Sequence, residues 1–349
     1  MVVLHTSALF LTGQMKNNTQ KISAMRVSAA FCGLLLAAVN VCAGEQPVGL
    51  GWLKVVAFAG HNTDYSGIFV YQYDNRVETS RITHVVEPDG EYEKLESLDG
   101  PRHEIIRHHG QVWCCINHKM VQMDSQHQQM GSRFTDLPPE QLSELSTIYQ
   151  AKETGIERVA GYNTQAILFQ PRDRLRYAHK IWVHADSGLL LKASVLGDKN
   201  QVVEQYAFTQ LQIGGSIDRS WVGAKDSAGH GAGLPVSPVT GRGGTAINSG
   251  WVVDALPAGF KKTWEILRPM RGKHAPVIQI VFSDGLSAIS IFIEPNDEDE
   301  DDAEGWSSRG AVNLYHKIMG NQLITVVGEV PPRTLMQVFN SIHYSGAID

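Results

Sequence analysis

The residues from 66 to 117 alternate between short strand-like runs and turn residues, which limits the choice of fold more than any other feature of the chain. Parallel strands need crossover connections of a dozen or more residues, so strands linked this closely must pair mostly antiparallel. The runs are Ser66–Asp74, Arg76–Glu87, Tyr92–Leu98, Arg102–His109 and Gln111–Asn117. The turn signals between them are Asp74-Asn75, Asp89-Gly90, Asp99-Gly100-Pro101 and Gly110.

The same alternation of strand-like runs and turn residues recurs further along the chain. Strands are predicted at Glu157–Ala160, Gln165–Gln170, Arg176–His184, Leu189–Leu196 and Val202–Ile213. Apolar spacing predicts two helices beside this sheet, at Val48–Ala59 and Glu140–Gln150. Residues 44–213 are therefore predicted to form one large antiparallel domain with a few helices.

The first 43 residues read as a secretory signal with an upstream extension. Basic residues precede an apolar run from Val27 to Val41, and Ala43 offers a small residue before a cut. The run has about 15 residues, fewer than the roughly 20 that a membrane-spanning helix needs. A lipoprotein anchor at Cys42 is the weaker alternative, because Val41 is bulky where such sites want a small residue. We therefore expect export.

Nearly all of the net negative charge of the chain lies in one short segment. Residues 1–43 carry three basic and no acidic residues, so their removal takes the formal charge from −6 to −9. Eight carboxylates and no base lie between Glu294 and Glu304, which accounts for nearly all of that charge. A mildly acidic chain with one acidic run, expected to be a solvated loop, argues against nucleic-acid binding. A weak divalent-cation site in the run is the less favoured alternative, because Asp302 and Ser308 replace the Gly and Glu of a calcium loop.

A glycine-rich segment divides the chain. Eight glycines fall between Trp221 and Gly250, and apolar periodicity is weak there, so residues 214–250 are predicted to be a linker. Residues 251–349 then predict a smaller α+β domain. Its last element is predicted to be a helix after Pro331-Pro332, with Leu335, Val338, Phe339 and Ile342 on one apolar face.

No motif in the sequence supports catalysis or a bound cofactor. Gly-x-Ser-x-Gly, Cys-x2-Cys and His-Glu-x-x-His patterns are absent from the sequence, so we predict neither an enzyme nor a metal site. The pair Cys114-Cys115 is too close for an ordinary disulfide, which leaves free thiols, an intermolecular link or a strained vicinal bond open.

Two sets of residues are candidates for ligand contact. Phe69, Tyr71, Trp113 and Trp182 lie on predicted strands and could line an apolar cavity, although plain core packing is the alternative. Arg172, Arg174 and Arg176 would share one face of an extended segment and could bind an anion, although a solvated hairpin tip is the alternative. From the residue types alone, the first set is predicted to take an apolar ligand and the second an anionic group such as a phosphate or carboxylate.

Ordered motifs across both predicted domains resemble the RseB/MucB family of periplasmic sigma-factor regulators. The matching segments are Leu98–Arg107, Tyr177–Ala193, Leu256–Phe260, Phe282–Leu286 and Val327–Pro332. The resemblance implies a half-open antiparallel β-barrel like that of lipoprotein carriers, with helices on its concave side, followed by a smaller α+β domain. The long glycine-rich linker, the acidic run and the Cys114-Cys115 pair depart from the family pattern.

The resemblance also implies a function. Family members bind the periplasmic part of a membrane-spanning anti-sigma factor, shield it from proteolysis, and release it on lipopolysaccharide or lipoprotein signals. The alternative hypothesis is a periplasmic lipid or lipoprotein carrier, and an exported hydrolase is a third with no residues to support it. The sequence leaves open whether the chain forms a homo-oligomer.

Overall fold

The structure, a computed structural model, describes residues 48–108, 111–116, 119–123, 139–222, 244–270, 275–296 and 304–346. The predicted signal segment, residues 223–243 of the predicted linker and residues 297–303 of the acidic run lie outside these ranges. The three helices of the described residues are α1 (Val48–Asn62), α2 (Pro139–Ile148) and α3 (Pro332–Phe339). No helix in these ranges is both long enough and apolar enough to span a bilayer.

The larger sheet has eleven antiparallel strands in two consecutive groups. The first group is β1 (Tyr65–Tyr73), β2 (Arg76–Glu87), β3 (Gly90–Ser97), β4 (His103–His108), β5 (Gln111–Ile116) and β6 (Lys119–Met123). The second group is β7 (Tyr149–Val159), β8 (Tyr162–Pro171), β9 (Ala178–His184), β10 (Leu190–Leu196) and β11 (Val202–Ile213). Within each group, sequential strands are neighbours, and the groups join where β1 pairs with β11, a contact we call the β1–β11 seam.

The sheet curls without closing. Its edge strands are β6 and β7, so it is not a complete barrel. The hydroxyl of Tyr162, at the start of β8, donates to the carbonyl oxygen of Leu211 on β11 at 3.1 Å, although two strands separate β8 from β11. The predicted fold class, an α+β chain with an open antiparallel half-barrel, is therefore confirmed.

Both predicted helices pack against the second group of strands. Leu53 and Val56 of α1 and Leu145 and Ile148 of α2 are buried in one apolar cluster. Their partners on the sheet include Ile167, Phe169, Ile181 and Val183. Burying aliphatic side chains of this size stabilises a fold by about 1.5–3 kcal/mol each, so this cluster anchors α1 and α2 on the sheet.

The first part of the predicted linker packs on the large sheet. Ile217 and Trp221 are buried against Val85, Tyr92 and Ile106. Arg219 also forms ion pairs with Asp64 and Glu87, at 2.5 and 2.7 Å. Residues 214–222 are thus part of the large domain, and the chain leaves that domain later than position 213.

The smaller domain is a seven-stranded antiparallel sheet covered by one helix. Its strands are β12 (Thr245–Ala246), β14 (Lys261–Arg268), β15 (Val277–Ser283), β16 (Ala288–Pro295), β17 (Glu304–Arg309), β18 (Val312–Met319) and β19 (Gln322–Gly328). A two-stranded sheet of β13 (Trp251–Val253) and β20 (Ile342–Tyr344) lies beside it. Leu335, Val338 and Phe339 of α3 pack on residues of β15, β16, β18 and β19.

Two local predictions were wrong for physical reasons. The last helix ends at Phe339, so Ile342 lies on β20, where it joins the same apolar cluster. The strand β7 begins at Tyr149, directly after α2, whereas the prediction started it at Glu157. The β7 strand is an edge strand with seven consecutive exposed residues, so its sequence lacks the alternation that identifies a half-buried strand.

Candidate functional site

Two of the segments that carry the family resemblance, Leu256–Phe260 and Phe282–Leu286, contact Arg176, which directly precedes a third, Tyr177–Ala193. The chain bends between β8 and β9, and Arg176 in this bend is 2% exposed. One Arg176 guanidinium nitrogen donates to Asp284 of the small domain at 2.5 Å, and the other donates to the Ala258 carbonyl oxygen at 2.7 Å. We call Arg176, Asp173, Tyr149, Asp284 and Ala258 the interdomain junction.

Each partner of Arg176 is held by its own local structure. Asp173 accepts the backbone N–H of Leu175 at 2.9 Å, which fixes the bend, and pairs with Arg176 at 3.0 Å. Asp284 accepts the backbone N–H groups of Leu286 and Ser287 at 2.9 and 2.7 Å through its other oxygen. The tight β15–β16 turn therefore aims one carboxylate oxygen at the guanidinium.

The junction is a buried charged group with aromatic walls. The guanidinium carbon of Arg176 lies 5.6 Å from the ring centroid of Tyr149 and 5.3 Å from that of Phe260. Burial raises the pKa of Asp284 and of Tyr149, and the Arg176 charge opposes both shifts. A buried ion pair is costly to form but much costlier to break, so this junction fixes how the domains meet.

A second contact joins the β17–β18 turn to the β1–β2 turn. Arg309 donates to the Tyr73 hydroxyl at 2.5 Å, and its guanidinium carbon lies 4.3 Å from the Tyr73 ring centroid. The backbone N–H of Ala311 donates to the carboxylate of Glu204, a buried residue of β11, at 3.1 Å. Gly310, which lies between Arg309 and Ala311, has a φ of +57°. A Cβ atom at this position would lie 2.9 Å from a carboxylate oxygen of Glu204.

A third contact involves the start of α3. Arg333 pairs with Asp198 at 2.5 Å and also donates to the Arg174 carbonyl oxygen at 2.6 Å. The Thr334 hydroxyl donates to the Leu175 carbonyl oxygen at 2.7 Å. The buried amide of Asn313 donates to the Tyr177 hydroxyl at 3.0 Å. The bend between β8 and β9 thus touches three separate elements of the small domain.

The structure corrects the predicted grouping of three arginines on one extended face. Residues 172–176 bend instead of extending, because Asp173 caps the backbone at Leu175. Arg172 and Arg174 are exposed, whereas Arg176 points into the interdomain junction. Ligand contact therefore stays a prediction for Arg172 and Arg174, and Arg176 has a structural role.

The structure brings two of the four predicted aromatic residues together. Trp182 is buried in a cluster with Tyr65, Leu191 and Phe208, and Phe69 packs partly buried against the same cluster. The ring centroids of Tyr71 and Tyr73 are 5.1 Å apart. Trp113 lies on β5, four strands from β1, and so does not join Phe69. The cluster is core packing in this structure, and ligand contact by these residues stays a prediction.

Trp182 also has polar neighbours. Its indole N–H donates to Glu157 at 2.8 Å, and the ammonium groups of Lys180 and Lys192 lie 4.7 and 4.4 Å from its ring centroid. Burial lowers the pKa of Lys192, while Glu157 opposes that shift. Within the described ranges, His, Cys, Asp and Glu side chains do not gather into a metal-binding group of three.

Sequence reasoning missed the role of Asp284. Phe282–Leu286 entered the sequence analysis only as a segment that resembles the family, and an aspartate before a glycine usually caps its own turn. Asp284 does cap its turn, and its second oxygen also binds Arg176, 108 residues away. The available signal was that Asp284 lies inside a segment shared with one family and Arg176 directly precedes another, Tyr177–Ala193.

Family models match the chain in two blocks that follow its two domains. The MucB/RseB N-terminal domain matches residues 49–225, and the MucB/RseB C-terminal domain matches residues 245–343. The chain belongs to the MucB/RseB family.

Relatives in this family match over nearly their full length. The sigma factor AlgU regulatory protein MucB of Pseudomonas aeruginosa is 32% identical over 303 residues, which cover 85% of this chain and 91% of MucB. The sigma-E factor regulatory protein RseB of Haemophilus influenzae is 25% identical over 328 residues, which cover 92% of this chain and 98% of RseB. Both relatives are named as regulatory proteins of a sigma factor.

Solved structures of a MucB/RseB family member share the architecture. MucB in the MucA/MucB complex of P. aeruginosa aligns with a TM-score of 0.68 and 29% identity, over 86% of this chain and 100% of MucB. A crystal structure of MucB in complex with MucA(peri) aligns with a TM-score of 0.66 and 30% identity, over the same shares of both chains. The likeness covers both domains.

Proposed function

We propose that this chain is a periplasmic negative regulator of a sigma-E-type envelope-stress response. It binds the periplasmic part of a membrane-spanning anti-sigma factor and shields that part from proteolysis. The observation that carries the proposal is the match to MucB over both domains, together with the solved complex of MucB with MucA(peri). The predicted signal segment supports export.

The interdomain contacts support a binding surface that uses both domains. Three separate contacts, around Arg176, Arg309 and Arg333, hold the large and small sheets in one arrangement. A surface that is already organised loses less conformational entropy when a partner binds. The regulator would therefore bind its partner without first assembling its two halves.

Binding of the purified mature chain, residues 44–349, to the periplasmic segment of an anti-sigma factor from the same genome tests this function. We expect a saturable complex in calorimetry and slower cleavage of the segment by a site-1 protease. A scrambled segment of the same composition serves as the control. Lipid binding without any complex would instead favour the carrier hypothesis and reject the regulator.

We further propose that an anionic lipid ligand contacts Arg172 and Arg174. Both side chains are exposed, and their segment holds Arg176 and the Arg174 carbonyl oxygen that Arg333 binds. A ligand on the bend between β8 and β9 would therefore touch the segment on which the small domain rests. By favouring a conformation with a weaker grip, it could release the partner.

Replacing Arg172 and Arg174 together with Ala is expected to weaken lipopolysaccharide binding several-fold in low salt, with a smaller effect in high salt. Screening reduces the attraction between exposed charges, which is why salt should narrow the difference. Vesicle or micelle co-sedimentation measures both conditions. The double variant Lys152→Ala with Arg158→Ala, on the exposed edge strand β7, is the matched control. Equal loss in both double variants would reject a site at Arg172 and Arg174.

A further inference from the structure

A buried histidine near the seam has an unusual environment. His84 on β2 is 3% exposed, and its ring stacks on Tyr65 at 5.2 Å between centroids. Its Nδ1 lies 2.8 Å from the Thr63 carbonyl oxygen, and its Nε2 lies 3.4 Å from a carboxylate oxygen of Glu91. Both neighbouring oxygens are acceptors, so both nitrogens donate only when the imidazole is protonated.

Glu91 also binds a second histidine, on a different element. His61 lies in the last turn of α1, and its Nδ1 is 2.9 and 3.0 Å from the two carboxylate oxygens of Glu91. Glu91 on β3 therefore links the end of α1 to β2 through two imidazoles. The side chain of His61 is about 41% exposed, so its ring is in contact with solvent.

The other charged groups around His84 have their own partners. Glu93, the residue paired with His84 across β2 and β3, forms an ion pair with Arg107 on β4. Asp64, in the turn before β1, forms an ion pair with Arg219. Tyr65 on β1 has a raised pKa because it is buried, and so stays neutral. Glu91 is thus the carboxylate that is hydrogen-bonded to both histidines, while the charges of Glu93 and Asp64 also act on His84.

We propose that His61, His84 and Glu91 form a pH-sensitive latch, which holds the end of α1 against β2 and β3 when the imidazoles are protonated. Deprotonation removes the charge from both ion pairs and leaves one His84 nitrogen without a proton to donate. The end of α1 and the turn to β1 then loosen. Leu53 and Val56 remain in the core, so the response is confined to the last turns of α1.

The pKa shifts give the direction of the response. Burial lowers the pKa of His84, but hydrogen bonds to Glu91 and Thr63, with the negative charges of Glu93 and Glu91, raise it above the ordinary value of 6.5. Burial raises the pKa of Glu91, but hydrogen bonds from His61 and His84, with the charges of both imidazoles, bring it down to about 2. The latch is therefore fully formed between pH 4.5 and pH 6.5, which are the ordinary pKa values of a glutamate and a histidine side chain. It weakens as the pH rises through the raised His84 pKa, and on the acid side it fails only toward about pH 2.

Local hydrogen exchange of the mature chain, measured at pH 5.5 and 8.5 and corrected for intrinsic rates, tests the latch. We expect protection of the amides from Phe58 to Asp64 to fall about tenfold for each unit by which the His84 pKa is raised. Glu91→Gln should reduce this difference between the two pH values, since only the Thr63 carbonyl oxygen and the Glu93 charge would then act on His84. His343→Gln, which removes an exposed histidine 3.4 Å from Asp254, should leave the difference unchanged.

A titration of the imidazole proton signals of the unmodified chain keeps the proposal testable if Glu91→Gln fails to fold. A pKa for His84 at or below 6.5 would overturn the proposal. So would equal protection at both pH values in the unmodified chain, or the same loss of response in His343→Gln. A raised His84 pKa with a loss of protection confined to residues 58–64 would support the latch.

Discussion

Arg176→Ala is expected to lower the free energy of unfolding by about 3–5 kcal/mol, because it leaves the carboxylate of Asp284 buried without a counter-charge. Both side chains of this ion pair are fully buried. The substitution also removes the hydrogen bond to the Ala258 carbonyl oxygen and the packing against Phe260. Urea unfolding of the mature chain, followed by tryptophan fluorescence, measures the change.

Two comparisons separate the ion pair from other effects of the substitution. Arg172→Ala, four residues earlier in the same bend, removes an exposed arginine and should change stability by less than about 0.5 kcal/mol. Arg176→Met combined with Asp284→Asn should be less harmful than Arg176→Ala, since the asparagine oxygen still accepts from Leu286 and Ser287. Equal stability of Arg176→Ala and Arg172→Ala would show that the junction contributes little.

Gly310→Ala is expected to weaken the docking of the β17–β18 turn on the large sheet. The new methyl group would lie 2.9 Å from a Glu204 oxygen and 3.0 Å from the Tyr73 Cβ atom. Neither neighbour can retreat easily, because Glu204 is buried and Tyr73 binds Arg309. Overpacking of this kind costs about 1–3 kcal/mol, in addition to the strain of a positive φ.

Gly320→Ala is a closely matched control for the backbone strain. Gly320 has a φ of +63°, against +57° for Gly310, and a side chain there has no neighbouring atom within 4 Å. Backbone strain should therefore be similar in both variants. Any additional loss of stability in Gly310→Ala then measures the clash at the contact between the β17–β18 turn and the large sheet. Thermal unfolding measures the stabilities, and affinity for the anti-sigma segment reports the domain arrangement. Equal melting temperatures would mean that the turn adjusts without cost.

The sequence predicted the antiparallel pairing of sequential strands better than the edges of the sheets. Turn residues such as Asp99-Gly100 marked hairpins correctly, because the Ser97 hydroxyl donates to the Asp99 carbonyl oxygen at 2.7 Å and Gly100 adopts a φ of +67°. Such turns are local, so the sequence determines them directly. Edge strands such as β7 and β17 bury little on either face, and their sequences show no period that reveals them.

The candidate site was less accessible to sequence reasoning than the fold. Arg176 and Asp284 each looked like ordinary turn residues, and their pairing depends on the approach of two separate domains. His61, His84 and Glu91 come from three elements, and none of them stands out in its own segment. Spacing along the chain therefore could not have paired them. The family resemblance marked the turn that contains Asp284 without saying what that turn contacts.

The β1–β11 seam has a consequence for how the chain reaches its native state. Strands β1–β6 and β7–β11 each pair with their sequence neighbours, whereas the seam joins Ile68 to Gln210. Contacts between residues so distant in sequence form slowly, because a long loop must close before any pairing rewards it. We expect two half-sheets to form first, each exposing its seam strand until the other arrives. Newly synthesised chains would then be most prone to aggregate before the seam closes.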